Sequence, residues 1–381
     1  MGGGYKNTNM KLLSIVIPTR GREYYCIEAI KDILSYKRDD FELVICDNSD
    51  TDQIDEYLQA NPDERVVYQH IRGRINSVIN MDTAMRMATG EYVCMIGDDD
   101  TILPTIFDAV LLAKNNDYNI VSPRDVVVYF WPKALKEEGI LSWALRVNEG
   151  GATEMDSESQ LKAFVKNGCL TYSDVLPRLY HGIVKRNILE KILNETGHII
   201  GGLSPDIYLS ISTTCNSKKF TVIKFPITIA GACPRSTTSE SNTGGHRGRI
   251  EDAPHLFNRG PYVWDERIPR IYTVQTIWAE TAMKAFEEMG RTELIKQINQ
   301  GYLYAEMIRK NRTMIKDLIP AIKYARPISG NVLNMLNFSR YFLLKPIQRL
   351  GRGEIKSRSI EDVKSISIAS KMYMEIINEH V

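Results

Sequence analysis

Four times in its first hundred residues the chain runs a short strand-like stretch, at 12–17, 41–46, 66–71 and 91–96, the first of them nearly unbroken in apolar residues. Strands that lack polar alternation are those buried on both faces of a parallel sheet. Between them, residues 23–35 set Tyr24, Ile27, Ile30, Ile33 and Leu34 near helical spacing. Residues 76–88 do the same with Val78, Met81, Ala84, Met85 and Ala88. Repeated strand–helix units give a mostly parallel sheet flanked by helices, joined by right-handed crossovers. The expected fold class is therefore α/β.

Composition removes several alternatives. The chain has 381 residues, 43% hydrophobic and 25% charged, which is ordinary for a globular protein of two or three units. Lys+Arg 48 against Asp+Glu 47 leaves a net charge of +1, so no global field favours nucleic acid. No apolar run approaches the ~18 residues of a membrane span. The opening MGGGYKNTNMK has no apolar core of the kind a secretory signal needs. Six cysteines without a CxxC pair argue against a zinc site or disulfide framework and for a reducing cytoplasm. The charge is uneven, however: residues 310–381 carry thirteen basic and six acidic side chains.

Further along, 119–122 and 126–131 read as strands, and 132–180 as a mixed, loop-rich stretch. Residues 181–184 form a strand leading into a helix at 186–195; 205–214 is a helix with Pro205 in its first turn. Residues 220–229 read as the last strand. Residues 231–260, rich in Gly, Ser, Thr and Arg, read as a mobile loop. Helical patterns follow at 270–289, 291–309, 311–325, 332–350 and 360–378. The organisation is a flexible 1–10, an α/β domain at 11–232, a loop at 233–260 and a helical module at 261–381.

Two acidic clusters sit where ligands bind in open α/β sheets, just past the carboxyl ends of strands: Asp47, and the triplet Asp98-Asp99-Asp100. Adjacent carboxylates repel, and burial makes this worse. A hard divalent cation bridging to phosphate oxygens, Mg²⁺ or Mn²⁺, relieves that cost. A polar turn capping the next helix is the plainer reading. No GxGxxG follows the first strand, which disfavours a dinucleotide site.

The quoted segments LSIVIPTRGR, FELVICDNSDTD, ATGEYVCMIGDDDTILP, YHGIVKRNILEKI and GGLSPDIYLSI resemble, in that order, the motifs of family 2 glycosyltransferases with the GT-A fold. The likeness covers about residues 11–232 and implies a Rossmann-like catalytic domain that binds a nucleotide-sugar. It implies that Pro18, Thr19, Arg20, Arg22, Asp47, Asp98 and Asp99 lie at the nucleotide. Asp98 and Asp100 form a DxD-like metal pair, with His246 as a third ligand, and Asp206 is the general base. Gly97 stands where the family often has an aspartate. Arg20 replaces a base-stacking aromatic.

The reaction implied is inverting transfer of a sugar from a nucleotide diphosphate, UDP being the commonest, to a glycan or lipid-linked glycan, with Mn²⁺ or Mg²⁺, in bacterial surface polysaccharide synthesis such as capsule or O-antigen. One base and one displacement invert the anomeric centre. In the loop, Arg235, Arg247 and Arg249 suit a lid closing on the diphosphate, although a solvated surface loop reads equally well. His181 is placed on the acceptor side or in a structural role. Phe338, Tyr341, Phe342 and their basic neighbours up to Arg358 suggest peripheral contact with the inner face of the plasma membrane, or else packing and a homo-oligomer contact. Alternatives are a catalytically inactive sugar-nucleotide-binding scaffold and a sugar-phosphate nucleotidyltransferase; PTRGRE is too short and glycine-poor for the latter. A phosphatase using the DxD motif needs it on the first strand, and the order here is wrong.

Overall fold

A computed structural model describes residues 10–144, 151–234, 236, 247–328, 336–339 and 357–378. The chain runs β1 (Leu13–Thr19), α1 (Glu23–Leu34), β2 (Phe41–Asp47), α2 (Gln53–Ala60), β3 (Val66–His70), α3 (Ser77–Met87), β4 (Tyr92–Met95), β5 (Thr101–Ile102) and α4 (Thr105–Asn115). It continues with β6 (Ile120–Pro123), β7 (Val127–Phe130), β8 (Ile140–Ala144), β9 (Ala152–Asp156), α5 (Ser157–Lys166), α6 (Tyr172–Val175), β10 (Ile183–Lys185), α7 (Arg186–Thr196), α8 (Pro205–Cys215), β11 (Lys219–Ile223) and β12 (Thr228–Ala232). Then come β13 (Arg247–Gly248), β14 (Tyr272–Thr273), α9 (Val274–Glu288), α10 (Thr292–Ile295), α11 (Gln300–Lys310), α12 (Ile315–Tyr324), β15 (Ser357–Ile360) and α13 (Ile366–Asn378).

The main sheet has the order β3-β2-β1-β4-β10-β6-β11-β9. Its first four strands are parallel, with Val16 opposite Met95 and Thr19 opposite Asp47. Both faces are buried, as the unbroken apolar runs require. Ile15, Ile17, Leu43, Ile45 and Cys94 pack toward α1 and α4, while Val16, Val44, Val93 and Met95 pack toward α3 and α7. β10 enters antiparallel between β4 and β6. That reversal delivers the residues before β10 to the carboxyl end of β4, where His181 N donates to Met95 O at 3.0 Å.

A second sheet has the order β15-β8-β7-β12-β5. The stretch read from sequence as one strand at 220–229 is two, one in each sheet, broken at Pro226. β5 directly follows the aspartate triplet and pairs with β12, Ile229 opposite Thr101. The triplet thus lies at the seam between the sheets.

Three differences from the sequence reading stand out. Helices α2 and α5 were not anticipated as helices. The stretch 291–309 is two helices, and residues 357–360, read as loop into helix, form β15 against β8. The chain after 261 is also tied into the sheets: α9 packs on α8, and α13 packs on α1 and β5. Val363, Ile366, Ala369 and Tyr373 share a core with Leu103, Tyr129, Trp131 and Leu141. The helix expected at 332–350 lies outside the described residues except for 336–339, as does the expected flexible start at 1–9.

Candidate active site

The three aspartates are buried and each faces different partners. Asp98 accepts from Thr19 Oγ1 at 2.7 Å and is gripped by Arg22, Nη2 to Oδ1 at 2.6 Å and Nε to Oδ2 at 3.1 Å. Asp99 accepts from the Cys233 amide at 2.9 Å, and its Oδ1 stands 3.5 Å from Arg22 Nη1. Asp100 accepts from the Gly97 amide at 2.5 Å and the Gly231 amide at 2.6 Å, with His181 Nε2 at 3.5 Å. Trp131 Nε1 fixes the turn by donating to Asp99 O at 3.0 Å. Glycine at 97 and 231 is a steric requirement. A Cβ at 231 meets Asp99 O at 1.7 Å, and one at 97 meets the Tyr180 hydroxyl at 2.7 Å and Asp100 Oδ2 at 2.9 Å.

Burial raises Asp98 and Asp99 above the usual carboxylate range, and it pushes Asp100 up to about 7 despite its two amide bonds. Burial also brings His181 down to about 4, so its imidazole is neutral at pH 7. His181 adopts φ 80°, a left-handed backbone that costs energy for a non-glycine residue. Its Nδ1 is buried without a hydrogen-bond partner among the described residues. The site thus gathers three buried carboxyl groups and one unsatisfied polar atom, an arrangement with the donor chemistry to bind a cation and a polar ligand.

At the neighbouring strand ends, Asp47 accepts from the Ser49 amide at 2.8 Å and from the Tyr68 hydroxyl at 3.1 Å. Arg20 donates to Asn48 Oδ1 at 2.9 Å and lies 3.5 Å from Asp50. Pro18 and Thr19 end β1 beside Cys46 and Asp47. The strand pairing therefore brings Thr19, Arg22, Asp47 and the triplet to one rim.

Asp206 sits half-exposed in the first turn of α8, where Pro205 supplies the fixed φ of a helix start. Ser204 Oγ donates to its Oδ1 at 2.5 Å. Burial, and next the Asp206 carboxylate beside it, drive the Tyr172 phenol well above its ordinary range. The Arg178 charge acts on both Tyr172 and His181. β11 runs parallel to β6 and so to β4, which means that α8, the helix leading back into β11, starts at the carboxyl end of the sheet, the end that carries the triplet.

Of the loop residues, Arg235 and His246 lie outside the described residues. Arg247 is exposed at β13 and donates to Lys310 O at 3.4 Å; Arg249 stands 3.7 Å from Glu251. Neither approaches the triplet through a described contact. Sequence reasoning passed over Tyr172, Tyr180, Ser204 and the amides of Gly231 and Cys233. The amides carry no residue-type signal, and Tyr172 lies in the stretch without readable period.

The oxygens of Asp98, Asp99 and Asp100 fit a hard divalent cation, which commonly takes one or two carboxylates and completes its shell with water and substrate phosphate. Among the described residues no group of three acidic, His or Cys side chains forms a ready-made cage.

Comparison with known proteins agrees with this arrangement. Residues 14–174 match the model of glycosyl transferase family 2. The chain is 32% identical over 108 residues, 28% of its length and 39% of the relative's, to the glycosyl transferase WcaA assigned to colanic acid biosynthesis in Escherichia coli K12. It is 27% identical over 161 residues, 41% of its length and 48% of the relative's, to the GalNAc(5)-diNAcBac-PP-undecaprenol beta-1,3-glucosyltransferase of Campylobacter jejuni. The chain spans less than half the length of these curated relatives. In fold it is similar to S. aureus TarS 1–349 crystallised with UDP-GlcNAc, with a TM-score of 0.54 at 11% identity, covering 96% of this chain and 92% of that one. The chain thus carries a glycosyl transferase family 2 domain over residues 14–174, in a fold similar to that of TarS.

Proposed function

We propose that the chain transfers a sugar from a nucleotide diphosphate, UDP by preference, to a glycan or lipid-linked glycan during bacterial surface polysaccharide synthesis, with inversion at the anomeric carbon. The observation that best supports this reading is that α8, which carries Asp206 in its first turn, starts at the same end of the sheet as the aspartate triplet. The TarS complex with UDP-GlcNAc supports the donor class, and the undecaprenol-linked substrate named for the C. jejuni relative supports the acceptor class.

In this mechanism Asp47, Thr19 and Arg20 bind the nucleoside end of the donor. Asp98 and Asp100 would hold Mn²⁺ or Mg²⁺, which when bound offsets the charge of the leaving diphosphate. Arg22, already in the rim, supplies a fixed positive charge to the same phosphates. Neutral His181 offers its unpartnered Nδ1 to a sugar or phosphate oxygen. Asp206, held by Ser204 and Tyr172, accepts the acceptor hydroxyl's proton as that oxygen attacks from the face opposite the leaving group. His246 and Arg235 belong to this reading as closing groups.

Asp206→Asn should lower transfer by roughly 10²–10⁴-fold with donor affinity kept. Asp100→Ala should remove the extra thermal stabilisation that Mn²⁺ adds to UDP. Nucleotide release and thermal shift measure the two effects, and NMR of the product's anomeric proton reads inversion. Wild-type transfer by Asp206→Asn would overturn the base assignment, and release of pyrophosphate in place of UDP would mark a nucleotidyltransferase.

A further inference from the structure

We infer that the outer face of α12 is a docking surface for an anionic lipid bilayer. Leu318 alone is buried in this ten-residue helix, whereas Ile315 and Ile319 are 45% and 50% exposed. Four residues apart, these two isoleucines stack into one ridge. Lys316 and Lys323, seven apart, share the adjoining strip at helical spacing. Lys310 and Arg312 lead into the helix, and among the described residues none of these four cations has an acidic partner. The one acid of the helix, Asp317, falls on a different face.

Charge complementarity selects the occupant. Single exposed aliphatics are commonplace. A paired aliphatic ridge bordered by lysines is a different feature, because the stems of those lysines extend the apolar strip while their ammonium groups reach headgroup phosphates. The ridge is too small to be the core of a protein interface, which needs about 800 Å² per partner. A lipid surface needs only a shallow wedge and basic neighbours. No helix among the described residues is long and apolar enough to cross a membrane, so the contact is peripheral. At the start of the basic run, Lys310 O accepts from Arg247. The docking surface stands on α12 alone; its use, to bring the site to a lipid-carried acceptor, rests on the proposed function.

Vesicle co-sedimentation of the full chain tests this. With vesicles of phosphatidylglycerol and phosphatidylcholine we expect binding at low salt that 0.5 M NaCl abolishes, and none with phosphatidylcholine alone. Ile315→Ser with Ile319→Ser, and separately Lys316→Glu with Lys323→Glu, should each weaken binding at least tenfold with the melting temperature unchanged. Transfer to a soluble acceptor should be unaffected. Equal binding by the variants, no preference for anionic lipid, or a wild-type dimer that the isoleucine variants split would each overturn the surface. Intact vesicle binding without sugar transfer would leave the surface standing and bring down the functional reading instead.

Discussion

At the scale of single residues, Gly231 shows how backbone geometry fixes the acidic rim. Its amide holds Asp100 while its missing side chain leaves room for Asp99 O. Both contacts are to groups that cannot step aside, so Gly231→Ala should cost about 1–3 kcal/mol through overpacking. It should also weaken UDP binding, and thermal unfolding with and without nucleotide separates the two effects. Glu280 carries a second expectation. It is 2% exposed, accepts from the Tyr262 hydroxyl and the Asp265 amide, and burial pushes it up to about 7. The folded chain therefore keeps a proton that the unfolded chain releases above about 4.5, so this residue's contribution to stability falls as pH rises from about 4.5 to 7. Glu280→Gln should be more stable than the parent by about 2–3 kcal/mol at pH 8, and the gap should close toward pH 4, as read from urea midpoints. The acids at the strand ends were legible because three consecutive aspartates after a buried strand demand an explanation. Tyr172 and Tyr180 were not, since a tyrosine in an aperiodic stretch reads the same whether it packs or supports a carboxylate.

At the scale of elements, β1, β2 and β4 of the main sheet were readable because full burial leaves an apolar signature, whereas the edge strand β9, with four of its five residues exposed, lay inside the stretch read as loop-rich. β10 was found from its own apolar run, but its antiparallel direction follows from where its partners lie and is invisible locally. The second sheet was the hardest to see. β5 is two residues long, and β15, Ser357–Ile360, is polar at three of its four residues because it lies on an edge with those three exposed. α13 was anticipated as a helix, yet what it covers was not. Ile366 is fully buried there, so Ile366→Ala should destabilise the chain by about 2–5 kcal/mol. The effect should reach the rim, because Trp131 shares this core and holds Asp99 O. Denaturant unfolding followed by Trp fluorescence, alongside UDP affinity, measures both.

At the scale of the whole molecule, the family domain at 14–174 is not a self-contained unit. Asp206, Gly231 and Cys233 come from beyond it, and the charge-rich helices after 261 pack on α8 or end on the exposed face of α12. The membrane expectation drawn from the basic stretch up to Arg358 lies largely outside the described residues, whereas α12 supplies a surface that the sequence reading had placed simply among the helices. The topology of the second sheet has a temporal consequence. Its edge strand, Ser357–Ile360, and the helix after it are made after every other strand of that sheet, and they close over a core begun at Leu103 more than two hundred and fifty residues earlier. A chain still on the ribosome can complete its parallel strands and yet leave Trp131 and the turn it braces uncovered. The core behind the aspartate rim is therefore closed only once residues 357–378 have been added.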